Sequence, residues 1–86
     1  MAATFWQIEA WVRGAEPETT HVAIVCDTYD HTDYPVEIVA LDESDCRRQV
    51  EEKSTGNMRQ LMEVYSLTGK HDISAQLAER RAYHYD

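Results

Sequence analysis

The sequence predicts an α+β fold: a three-stranded antiparallel sheet (β-β-β) followed by two or three helices packed on one face. Three observations predict it. Apolar residues alternate in short runs through the first half, turn-forming residues separate those runs, and the apolar period lengthens to that of a helix after residue 42.

The first strand is expected at about 4–13, where Trp6, Ile8, Ala10 and Val12 fall on one side and Gln7, Glu9 and Arg13 on the other. Phe5 and Trp11 then share the opposite face, so either both faces of this strand are covered or one tryptophan is left for a partner. Gly14 to Thr19 reads as a turn, and 21–29, rich in Val, Ile and Thr, as a second strand pairing with the first. After a break at Asp30–Pro35, a third strand is expected over 35–41, with Pro35 at its first residue, where a strand tolerates it.

Asp42 resembles a helix N-cap with Asp45 in the first turn, and Cys46 and Val50 follow one helical turn apart, predicting a helix over 43–53. Gly56 should break it. Met58, Leu61, Met62 and Tyr65 occur at i, i+3, i+4 and i+7, predicting a second helix over 57–67 that Thr68-Gly69 stops. A third is expected over 72–82, from Asp72 through Ile73 and Leu77.

With 86 residues, 1–86 are expected to form a single domain with a modest core, so a partner is a live possibility. The longest all-apolar stretch, Val22 to Cys26, is far short of the roughly 20 residues a membrane span needs. The start of the chain has no basic segment followed by an apolar run, and a cytoplasmic protein is expected. Cys26 and Cys46 make no C-x-x-C arrangement, and two buried reduced thiols are the simpler expectation.

The net charge of −8 is distributed unevenly. From Gly14 to Cys46 there are nine acids (Glu16, Glu18, Asp27, Asp30, Asp33, Glu37, Asp42, Glu43 and Asp45) and no Lys or Arg. A single-sign surface of this kind repels nucleic acid and attracts basic partners. Tyr29 and Tyr34 flank the acidic loop, and tyrosine is a favoured interface anchor. Against this stands the ordinary reading, in which charge runs are solvated faces and Asp42 to Asp45 serve only to cap a helix.

Catalytic and metal chemistry find little support. Asp27, Asp30, His31 and Asp33 cluster, but without the ligand ladder of a calcium loop or the His and Cys content of a zinc site, even were His21 to join them. Cys26 has apolar and acidic neighbours that suppress its thiolate. No glycine-rich phosphate loop is present, and neither a cofactor nor a metal is expected.

The expectation is therefore a non-enzymatic binding protein whose Gly14–Cys46 face docks on the basic surface of a nucleic-acid-binding protein. It would bind no nucleic acid and no membrane, as a monomer or homodimer. Asp27, Asp30, Asp33 and Glu37 would supply phosphate-like charge, Glu16 and Glu18 extend it, and Tyr29 and Tyr34 anchor it. Small size, acidity and lack of catalytic motifs are shared with many phage and mobile-element inhibitors, including anti-CRISPR proteins, a likeness of type that rests on no motif. The alternatives are a module that self-associates through its sheet edge or Trp11, with acid for solubility only, and a small metal-binding domain at Asp27–Asp33.

Overall fold

Thr4 starts the chain's first element, and the element is a helix. In the computed structural model, which describes residues 3–69, 71–80 and 83–85, Thr4 Oγ1 accepts the Gln7 N–H at 3.2 Å and Gln7 Oε1 accepts the Thr4 N–H at 2.9 Å. This reciprocal capping box satisfies two of the donors that a helix start leaves open, and it begins α1 (Phe5–Arg13). The strand expected at 4–13 is thus a helix. Ile8 and Val12, four apart, are buried, Trp11 packs at their flank, and Trp6 stands 74% exposed. The helix stops at Gly14, where a Cβ would lie 2.8 Å from the Ala10 carbonyl oxygen.

The remaining elements are β1 (His21–Asp27), β2 (Thr32–Ile38), α2 (Glu43–Ser54), β3 (Arg59–Ser66) and α3 (Ile73–Glu79). The class stands as expected, an α+β fold with a three-stranded antiparallel sheet, in the order β2-β1-β3. Its third strand, however, comes from the segment expected to be a helix over 57–67. The strand expected at 21–29 ends at Asp27, and the one at 35–41 runs instead from Thr32 to Ile38, because the tight turn between them brings Asp27 opposite Thr32. The helix expected over 43–53 occupies 43–54, whereas that over 72–82 covers Ile73–Glu79, residues 81 and 82 lying outside those described.

β3 reads as helical in sequence for two physical reasons. Its pairing with β1 shifts at Ile24/Val25, where Glu63 faces Ile24 and Leu61 faces Val25, so Met62 is an extra residue that interrupts the alternation. Both faces of its second half are also buried: Glu63, Val64, Tyr65 and Ser66 are all inaccessible. A strand buried on both sides shows a continuous run instead of a period of two.

That two-sided burial corrects the placement of the helices, which cover both faces of the sheet. Val22, Ile24 and Tyr65 face α1 and α3, forming one core with Ile8, Val12 and Leu77. Ala23, Val25 and Val64 face α2, forming another with Ile38, Cys46 and Val50. β1 is the shared wall, with five consecutive buried residues from His21 to Val25.

The two sheet edges differ. Outside β3, the Gln76 side chain pairs with the Ser66 backbone, accepting its N–H at 2.6 Å and donating to its carbonyl at 2.8 Å, and the His84 N–H reaches the Val64 carbonyl at 3.1 Å. Outside β2 no strand pairs among the described residues. None of their helices is long and apolar enough to cross a membrane.

Candidate protein-docking edge

The acids of residues 14–46 gather along β2 and at its two ends, and they separate into two groups by what their carboxylates do. At the turn after β1, Asp27 Oδ1 accepts the Tyr29 N–H at 2.8 Å and Asp30 Oδ1 accepts the Thr32 N–H at 3.0 Å. Short side chains bonding to the backbone two residues on are the usual device for tight turns. They carry the chain through His31, whose φ is +59°.

Asp33 and Glu37 stand on the α1 side of β2, opposite Cys26 and Val22. Asp33 Oδ2 accepts the Ala3 N–H at 3.0 Å, tying the entry of α1 to the turn end of the sheet. At the other end Glu37 Oε1 accepts from the Glu16 N–H at 3.3 Å and the Thr19 hydroxyl at 3.0 Å, drawing the loop with Glu16 and Glu18 against β2. Among the described residues, no Lys or Arg forms an ion pair with Glu16, Glu18, Asp27, Asp30, Asp33 or Glu37.

Asp42, Glu43 and Asp45 belong to α2. Asp42 Oδ1 caps it by accepting the Asp45 N–H at 2.8 Å, and Glu43 pairs with Arg47 at 2.9 Å. Asp45 accepts the Leu41 N–H and pairs with Arg48, and these bonds, the Leu41 one foremost, hold its carboxyl below the usual carboxylate range. Among the described residues, six of the nine predicted acids thus gather along β2 and at its ends without an ion pair, while Asp42 caps α2 and Glu43 and Asp45 pair with Arg47 and Arg48.

The tyrosines divide likewise. Tyr29 is 77% exposed at the turn. Tyr34 faces Val25 on the α2 side and packs against that core, which leaves it half-buried. His21, which might have completed a metal site with the turn, lies buried at the far end of β1.

Elsewhere, a cavity of about 260 Å³ opens between Ala3, Ile8, Ile24 and Met62, with Asp33, Glu63 and Arg80 at its wall. The buried Glu63 accepts the Tyr65 hydroxyl, and burial first, then Glu63, pushes the Tyr65 phenol upward. Burial, followed by the hydrogen bond to Asp33, likewise raises the Cys26 thiol. Both groups therefore keep their protons at neutral pH and neither is an activated nucleophile.

Sequence reasoning missed one further feature. Leu41 precedes the Asp42 cap, the position from which an apolar side chain usually packs onto the helix at N4, here Cys46. It is instead 93% exposed, and Val39 beside it is 52% exposed. The signal was an apolar pair, Val39 and Leu41, running past the end of a strand into a capping residue.

The chain matches no family model, no curated protein and no solved structure in the comparisons made.

Proposed function

We propose that this protein is a non-catalytic docking protein of the cytoplasm that occupies a basic, nucleic-acid-binding surface of another protein through the β2 edge. The observation that carries the reading is the group of six carboxylates that form no ion pair with Lys or Arg among the described residues. Two of the six, Asp33 and Glu37, lie on β2 itself, four residues or about 13 Å apart, with Asp27 and Asp30 at the turn end and Glu16 and Glu18 in the loop held at the other.

The edge is suited to a protein surface more than to a second copy of itself. Proline is accommodated in a sheet where its nitrogen faces away from the neighbouring strand, so Pro35 leaves the free edge one donor short. A second copy adding to β2 would also bring carboxylates against carboxylates.

Host-lysate partners recovered at low and high salt test the reading. The natural protein is compared with a variant carrying Asp27→Asn, Asp30→Asn, Asp33→Asn and Glu37→Gln, which keeps a side-chain acceptor at every turn bond. The expected result is a nucleic-acid-binding protein retained at low salt, released at high salt, lost from the variant and displaced by added duplex DNA. Partners held equally by both proteins, and indifferent to salt, would refute the proposal.

A further inference from the structure

Val39 and Leu41 pose a question that the acidic edge alone does not answer. Side chains that stand this far into water usually sit on mobile backbone, but three hydrogen bonds hold theirs. The Gln49 side chain donates to the Val39 carbonyl at 2.9 Å, the Ala40 N–H donates to Thr20 Oγ1 at 2.9 Å, and the Leu41 N–H donates to Asp45 Oδ2 at 2.9 Å. The segment is anchored to Thr20, just before β1, and to α2, so the backbone that carries the apolar pair is fixed in place and its ordering cost on binding is already met by the fold.

Carboxylates flank the pair along the chain. Glu37 precedes Val39 by two residues and holds the Glu16 loop; Asp42 and Glu43 directly follow Leu41. The Glu43–Arg47 pair is solvent-exposed on both sides, and such pairs exchange partners at little cost. An apolar centre inside a charged rim is the anatomy of a protein interface, in which the buried anchor supplies affinity and the rim supplies orientation.

Resting on the acidic-edge reading, we infer that Val39 and Leu41 form the anchor of this interface, and that the segment they receive is cationic and amphipathic. Its apolar side chains lie on Leu41 and Val39, and its Lys or Arg side chains meet Glu16, Glu37 and Asp42. Nucleic acid has no apolar stripe to place there, and a wholly polar basic segment would leave Leu41 in water. A second copy of this chain would bring the same acidic rim against itself.

Two synthetic peptides of equal length and equal arginine content test the inference, one with leucines along one helical face and one with serines in their place. Each is titrated into the natural protein and into Leu41→Ser at low salt, by calorimetry and by the methyl signals of Val39 and Leu41. Since Leu41 is almost wholly exposed, the variant should fold unchanged, which its thermal melt verifies. The leucine-bearing peptide is expected to bind about tenfold more tightly and to shift both methyl groups, with Leu41→Ser erasing that advantage, as the transfer of one leucine side chain from water requires. Equal binding of the two peptides, or an advantage that survives Leu41→Ser, would overturn the anchor while leaving the acidic edge standing. Failure of both peptides to bind would remove the acidic edge as well. A natural protein that is dimeric where Leu41→Ser is monomeric would assign the patch to self-association and overturn the inference.

Discussion

Cys46 shows how one side chain couples the fold to pH. It is fully buried where α2 meets the sheet, and burial foremost, with the Asp45 charge second, pushes its thiol from 9.0 to about 11. Because the folded value is the higher, the contribution is complete below pH 9. As the pH rises from 9 towards 11 the unfolded chain gives up its proton first, and stability falls. Urea midpoints at pH 7, 9 and 10.5 should therefore decline more steeply for the natural protein than for Cys46→Ala, and parallel declines would assign the loss to other groups, Tyr65 among them. At this scale the sequence was informative where a residue's role is local. The capping role of Asp42 and the suppressed thiolate of Cys26 follow from neighbours in the chain. The outward turn of Leu41 and the burial of Glu63 against Tyr65 depend on what packs across from them, which neighbours in the chain do not specify.

The elements show why two assignments exchanged identity while the class survived. In α1, Ile8 and Val12 satisfy both a period of two and a spacing of four, so the decisive signal was the Thr4-x-x-Gln7 box, a feature of helix ends that alternation does not report. In β3 the extra residue at Met62 and burial of both faces removed the alternation. The acidic stretch, by contrast, was legible as composition, and folding added which six acids form no ion pair among the described residues and which edge they gather at. The other edge depends on Gln76, whose amide takes the place of a strand residue beside Ser66. Gln76→Ala removes two buried hydrogen bonds and should lower unfolding free energy by about 2–4 kcal/mol. It should also promote concentration-dependent association through β3, since an uncovered edge pairs readily. Urea denaturation and sedimentation together measure this, and a loss near zero with no association would mean that the 83–85 segment alone covers the edge.

For the molecule as a whole, a net charge of −8 with six carboxylates gathered toward one edge is a cost to the isolated protein as well as a means of attracting partners. Screening should relieve it. Raising sodium chloride from 10 mM to 0.5 M shortens the Debye length from about 30 Å to a few ångströms, and the melting temperature is expected to rise by a few degrees. A fall would show that the ion pairs of α2 outweigh repulsion along β2. The central strand carries a different burden. Successive residues of β1 belong to separate cores, Val22 and Ile24 to one and Ala23 and Val25 to the other. Insert or delete one residue there and every following side chain changes sides, so that the space shaped for an alanine receives a branched chain and the reverse. In a sheet with one wet face such a slip turns the greasy side out to solvent. This one has no wet face on its middle strand to give up, so β1 acts as a ratchet with a single tooth, and its frame is the part of the chain least free to drift.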